Sequence, residues 1–236
     1  MEEVKILNIT SQLSIDVVRK DIKNMHLAVY PPAGRVRIAS PLRIDDEAVR
    51  LFAISKIAWI RKHQRNFLAQ DRQLPRQFKD RESHYFQGKR YLLRITELDA
   101  PPKVALTTKK YIDLFVRPNT DKKQRQIILN EWYRKQLKSQ VSTLIDKWEK
   151  IIGVHINGWS IKKMKTSWGT CNTQKKHICV NLELAKKPLE HLEYIVVHEI
   201  IHLLERHHNA KFMSYLNRFM PQWEYHKKEL GILPIS

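Results

Sequence analysis

The chain has 236 residues, 42% of them hydrophobic and 28% charged, a balance that excludes a disordered protein and leaves room for one large domain or two small ones. Lysine and arginine number 43 against 24 acidic residues, a net charge of +19, which favours contact with a polyanion and leaves the fold open. No run approaches the roughly 18–20 apolar residues of a membrane span, and the N-terminus "MEEVKILNITSQLSIDVVRKDIK" lacks the basic start and apolar run of a secretory signal. A soluble cytoplasmic protein with no membrane partner is expected.

The first third reads as β-rich. "MHLAVY-PPAG-RVRIAS" alternates apolar and polar residues on both sides of a turn, as a hairpin does. Asp45 or Asp46 can cap a helix running to about Phe67, with Val49, Phe52, Ala53, Ile57, Ile60 and Phe67 as its apolar stripe. "HYFQGKRYLLRI" predicts a second hairpin around Gly88, and "KVALTTKKYIDLFV" a third. Pro118, Asn119 and Thr120 mark a boundary. It separates a β-rich N-terminal domain with one helix, residues 1–118, from a second domain, residues 119–236.

A long helix opens the second part. Ile128, Trp132, Leu137, Val141, Leu144, Trp148 and Ile152 recur at helical spacing, and Gly153 suits a C-terminal cap. The tryptophans read as core. "WSIKKMKTSWGTC" and "HICVNLELA" predict two strands joined by the loop "NTQKK", and Pro188 stands where a helix begins. Further helices are expected over Lys211–Phe219 and after Pro221. No internal repeat is visible. Cys171 and Cys179 form no CxxC pair and read as core thiols rather than a disulfide or a zinc site.

The helix after Pro188 carries the chemistry. "YIVVHEIIHLLERHH" is apolar enough to be buried, yet it contains His198, Glu199, His202, His207 and His208. Burying ionisable groups without partners is costly. Four residues of helix amount to about 400° of rotation and about 6 Å of rise, so His198 and His202 share one face a turn apart. Two imidazoles so placed can reach one ion through bonds of about 2.0 Å. Glu199 lies too far round to join them as a ligand, and suits a base that takes a proton from a water the metal acidifies. Three fixed letters alone would be weak evidence. Ile195-Val196-Val197, Ile200-Ile201 and Leu203-Leu204 around them argue against a surface coincidence, and two buried histidines satisfied by carbonyls is the bland alternative.

A catalytic zinc takes a third protein ligand and keeps one open position. His208 follows His202 by six residues, the spacing of HExxHxxGxxH proteases, although Glu205 stands where that pattern has glycine. Spacing favours His208, with His207 and Glu224 as rivals.

The segments "MKTSWGTC", "VNLELAKKP" and "LEYIVVHEIIHLLERHHNAKFMSYLNRFMP", with "YPPAGRVRIASP" and "KIAWIRK" nearer the N-terminus, resemble the YgjP-like family of zinc metallopeptidases, related to the SprT-like and WLM proteases. The resemblance is strongest from about Ile161 to Trp223. It implies an α+β fold with a zincin-like domain built on an HExxH helix. It also implies Zn2+ held by His198, His202 and His208, Glu199 as the catalytic carboxylate, and a peptide or protein substrate. Ser167 precedes Trp168 where the family usually has arginine.

The sequence is compatible with two functions. In a zinc peptidase Glu199 activates the water and returns a proton to the leaving amine, a second oxyanion donor comes from Tyr194, Tyr215, Tyr225 or His226, and "HICVNLEL" pairs with an extended substrate. The alternative is a basic nucleic-acid-associated protein whose zinc is structural or whose catalysis has lapsed, or one that acts on DNA-bound proteins. The clusters Lys162-Lys163-Lys165, Lys175-Lys176 and Lys186-Lys187 would then make non-specific nucleic-acid contacts. No zinc-finger or aromatic RNA-binding motif accompanies them.

Overall fold

Strands form where apolar and polar residues alternate, and helices follow each set of strands. The computed structural model describes residues 4–11, 13–30, 33–69 and 76–232. Its contacts gather into two units, Met1–Arg72 and Gln73–Ser236.

In the first unit, β1 (Val4–Thr10), β2 (Leu13–Lys20), β3 (His26–Tyr30) and β4 (Arg35–Pro41) form a sheet in the order β1-β2-β4-β3. The expected hairpin is β3–β4, antiparallel with Tyr30 opposite Arg35; positions 31 and 32 of its turn lie outside the described residues. Gly34 has φ +72°, and its carbonyl accepts a 2.9 Å bond from Gln64 Nε2. β2 runs parallel to β4. The single helix expected from Asp45 to Phe67 is two, α1 (Asp46–Ser55) and α2 (Ile57–Ala69). Asp45 caps the first by accepting from Ala48 N at 2.8 Å. At its end Ser55 Oγ bonds back to Phe52 O and Lys56 N to Ala53 O, a side-chain bond and tightened turn that interrupt a helix. Val49, Ala53 and Ile60 are fully buried against Ile15, Val17, Val36 and Ile38; the Phe67 side chain lies outside the described residues.

The second unit begins with the same plan. β5 (Ser83–Phe86), β6 (Lys89–Glu97), β7 (Lys103–Ala105) and β8 (Tyr111–Val116) are ordered β5-β6-β8-β7, with β6 and β8 parallel. Both expected hairpins are present. The β5–β6 turn has positive φ at Gln87 (49°) and Gly88 (75°), as a two-residue turn matched to strand twist requires. The long helix α3 (Lys122–Ile152) starts at Asp121, whose side chain accepts from Gln124 N while Gln124 returns a bond to the Asp121 backbone, and ends on Gly153 at φ 77°. Its buried face, including Tyr133, Leu137, Val141 and Trp148, shares one core with Leu93, Ile112 and Leu114 of the sheet. That common core holds β5–β8 and α3 together in one unit. The strand order repeats although the sequence does not: the two sheets have identical connectivity and are each followed by helix.

Beyond α3, β9 (Gly158–Lys162), β10 (Gly169–Asn172) and β11 (His177–Asn181) form a third sheet in the order β10-β11-β9. The single strand expected across "WSIKKMKTSWGTC" is therefore two, and β11 stops at Asn181, where a 3-10 turn over Leu182–Lys186 replaces the expected continuation. Asn181 causes both interruptions. Fully buried, its amide donates to Met164 O at 2.9 Å and Ser167 O at 2.8 Å and accepts from Met164 N and Glu183 N. The helices α4 (Leu189–Ile201), α5 (Ala210–Phe219) and α6 (Trp223–Ile232) complete a mixed α+β fold. No helix among the described residues is long and apolar enough to cross a membrane.

Candidate active site

α4 is held from several sides before it delivers its polar residues. Leu192, Val196, Val197, Ile200 and Ile201 are almost wholly buried. At its start, Pro188 sits against Gly88, where an added Cβ would lie 2.7 Å from the proline Cγ. Gln87 N and Gly88 N donate to Ala185 O and Lys186 O at 3.0 and 3.1 Å. Along its flank, Glu193 accepts from Trp148 Nε1 and Lys147 Nζ of α3. The helix closes at Ile201 with His202 as its cap residue.

Three imidazoles converge there. One ligand atom each from His198, His202 and His208 lies within 4.8 Å of the others, and His198 Nε2 is 2.9 Å from His208 Nε2. His208 returns to this point because Asn209 caps α5, accepting from Phe212 N at 3.0 Å. Phe212 is fully buried and packs its ring 4.7–4.9 Å from all three imidazole rings. Burial lowers the proton affinity of each histidine, His198 to about 3, with His202, His208 and Lys227 adding to the effect there. They are therefore neutral, the form that ligates a metal. His202 Nδ1 faces Glu205 O at 3.3 Å, whereas His198 Nδ1 is buried without a partner. Zn–N bonds of about 2.0–2.1 Å at a tetrahedral angle separate nitrogens by roughly 3.3 Å, so this donor set fits a zinc ion.

Glu199 lines the same cleft, with Gly169, Thr170, Cys171, Asn172 and Arg206 among its other walls. It is 5% exposed, and burial pushes its carboxyl up to about 8. β10 passes directly over it. A Cβ at Gly169 would lie 2.6 Å from Glu199 Oε1, 2.8 Å from its Cγ and 2.9 Å from Ile195 Cγ2, closer than real side chains approach. Gly169 is thus a packing necessity at the carboxylate. Asn181 in turn fixes the segment leading into it, through Ser167 O and through its own N–H to Trp168 O.

His207 is exposed and stays out of the cluster, its N–H bonded to Glu205 Oε1; Glu224 is exposed on the first turn of α6 and is absent from the cluster of candidate ligands. None of the four expected oxyanion donors lines the cleft. Tyr194 lies behind His198, ring centroids 5.8 Å apart, and stacks on His226; Tyr225 is exposed. The strand expected to receive substrate, "HICVNLEL", is central: β11 is paired on both sides, and the edge beside the cleft belongs to β10. Cys171 packs against the core and also lines the cleft, its thiol pushed up to about 11 by burial and by the nearby Glu199 charge; both cysteines are free. Of the lysine clusters, Lys186 is turned inward onto Glu183 at 2.5 Å and Lys187 lies over the Trp168 ring. Burial depresses both, Lys187 to about 8. Gly169, Asn181, Arg206 and Phe212 went unassigned in the sequence; only Phe212, apolar four residues into the segment after His208, left a readable trace.

The YgjP-like metallopeptidase domain matches this chain over residues 23–232. This chain belongs to the YgjP-like metallopeptidase family. It is thereby a metallopeptidase, a class that works with a divalent metal, typically zinc, on peptide or protein substrates. Two solved structures resemble part of this YgjP-like chain. The crystal structure of the metallopeptidase zymogen of Pyrococcus abyssi abylysin is 19% identical, with a TM-score of 0.36, over 38% of this chain and 90% of that one. The zymogen of Methanocaldococcus jannaschii jannalysin is 23% identical, with a TM-score of 0.33, over 39% and 91%. No curated protein matches the chain.

Proposed function

We propose that this chain hydrolyses peptide bonds with zinc held by His198, His202 and His208 and with Glu199 as general base. The observation that carries the reading is the convergence of three neutral imidazoles on one point of a cleft that also contains Glu199. Bound zinc would acidify a water and polarise the scissile carbonyl. Glu199 accepts the proton of the attacking water and returns it to the departing amine. A carboxyl with proton affinity near neutrality can do both. Phe212 packs against all three rings, and the missing side chain at Gly169 leaves the space that the Glu199 carboxylate occupies. The free edge of β10 offers backbone N–H and C=O groups to an extended substrate, which pairs as an added strand.

Glu199→Gln separates this reading from a structural zinc site. The amide keeps size and shape and accepts no proton. Zinc content and melting temperature are expected to stay near wild type while hydrolysis of an unfolded protein such as casein falls by about 10²–10⁴-fold. Equal cleavage by a zinc-loaded mutant would remove Glu199 from the mechanism. Loss of zinc on this substitution, with no cleavage by either protein, would support the structural alternative.

A further inference from the structure

The described residues that line the cleft are mostly polar. Outside the three histidines and Glu199, they are Gly169 to Gln174 and Arg206, with no aliphatic or aromatic side chain among them. Burial of a large apolar side chain, which stabilises a complex by about 1.5–3 kcal/mol per residue, finds little to pack against among these residues. Charge has more to act on. Arg206 is exposed at the cleft, and its guanidinium has no carboxylate partner among the described residues. The single acid lining the cleft is Glu199, buried and committed to the chemistry. One cation with no carboxylate partner among the described residues, Arg206, therefore faces a cleft whose other walls, Glu199 apart, are neutral and polar.

We infer that Arg206 is a specificity-determining residue that selects acidic peptide segments, binding an aspartate or glutamate side chain close to the scissile bond. A guanidinium presents a planar fork of donors that matches a carboxylate with two parallel bonds, and such charge-assisted pairs are about twice as strong as neutral ones. An asparagine or glutamine side chain has the shape of the acid without its charge and forfeits most of this attraction. A lysine side chain is repelled. The inference rests on the peptidase reading for its substrate class, and its test measures binding as well as turnover.

The probes are three fluorescein-labelled peptides, (Gly-Asp-Ala)4, (Gly-Asn-Ala)4 and (Gly-Lys-Ala)4, titrated into the full-length, zinc-supplemented Glu199→Gln protein and followed by anisotropy. The aspartate peptide is expected to bind about tenfold more tightly than the asparagine one. Arg206→Gln should remove most of that difference, and Arg206→Glu should favour the lysine peptide. Because Arg206 is exposed, neither change threatens the fold, and retention of the aspartate preference in Arg206→Gln would assign it to direct metal contact and overturn the inference. Equal binding of aspartate and asparagine peptides would overturn it too. So would a thymidine oligonucleotide that displaces the aspartate peptide at equal concentration of anionic groups and loses this effect in Arg206→Gln, since the cleft would then recognise phosphate. Wild-type hydrolysis of the same peptides separates the two readings. An aspartate preference in binding with no hydrolysis refutes the peptidase and keeps the selectivity. Hydrolysis indifferent to charge, or lowered equally for all three peptides by Arg206→Gln, refutes the selectivity and keeps the peptidase.

Discussion

The two four-stranded sheets of this chain are built to one plan and put to different uses. Each has an antiparallel pair, a parallel central pairing and a second antiparallel pair, in the orders β1-β2-β4-β3 and β5-β6-β8-β7. Each has a proline at or just after the end of its last strand, Pro41 and Pro118, and an aspartate cap shortly afterwards, Asp45 and Asp121. The helix after the first sheet breaks at Lys56 and covers only its own core. The helix after the second runs unbroken for 31 residues and joins its sheet to α4. Connectivity did not create the active site. A helix long enough to serve two neighbours did.

The strongest way to break that contrast is to remove a ligand. His208→Ala is expected to abolish zinc retention against a chelator, because two protein donors hold the ion poorly, whereas His207→Ala should keep about one equivalent by elemental analysis. Equal loss from both, or loss from Glu224→Ala instead, would move the site.

Next in size is Gly169→Ala. The new methyl must displace the Glu199 carboxylate, so casein hydrolysis should fall by about 10- to 100-fold with zinc still bound, since small misplacement of a catalytic group costs about that much. Unchanged turnover would mean that the strand over Glu199 yields easily.

A matched pair of turn glycines compares the sheets directly. Gly34 and Gly88 both have positive φ, and a Cβ on either would come within 2.7 Å of a neighbour. Gly34 meets the flexible Gln64 side chain, Gly88 the rigid Pro188 ring that begins α4. Urea denaturation should show Gly34→Ala costing about 1 kcal/mol and Gly88→Ala about 2–3 kcal/mol, with peptidase activity reduced in the second alone. Equal effects on activity would end the distinction between the two regions.

A subtler readout is pH. With zinc chelated, the Glu199 carboxyl is held near 8 by burial, well above its ordinary range, so the folded state holds a proton that the unfolded state has released. Stability contributed this way is present at low pH and declines as pH rises toward 8, by at most about 5 kcal/mol for a shift of that size. His198, depressed to about 3, acts in the opposite sense, destabilising the fold as pH falls below about 6.5. Between pH 6.5 and 8 the Glu199 effect dominates, and Glu199→Gln should flatten the fall in melting temperature there. Smallest of all is DNA binding, expected to be weak at low salt and to disappear steeply as salt rises, because Lys186 and Lys187 are engaged internally.

Much of this was legible beforehand because it rests on local rules. The hairpin at Gly88, the cap at Gly153 and the pairing of His198 with His202 follow from turn chemistry and helical period. His208 was reachable by spacing. Asn181 was not, because a buried amide that ends one strand and interrupts another looks in sequence like any polar residue. The edge role of β10 also depends on a parallel pairing between β9 and β11 across intervening chain, which no local pattern encodes. Arg206 escaped for a different reason. Exposed arginines are common, and only the neutral walls around this one make it distinctive.

The bonds from Gln87 and Gly88 to Ala185 and Lys186 also set a timetable. They join a hairpin tip to the threshold of the histidine helix across nearly a hundred intervening residues, and contacts of such sequence separation close late and slowly in folding. Both partners of α4's first turn are therefore in place only after the sheet and the long helix have docked. The hairpin precedes the histidine helix in the chain, so it can form first and offer that helix a ready docking point, and hydrolytic competence would appear as one of the last events of maturation.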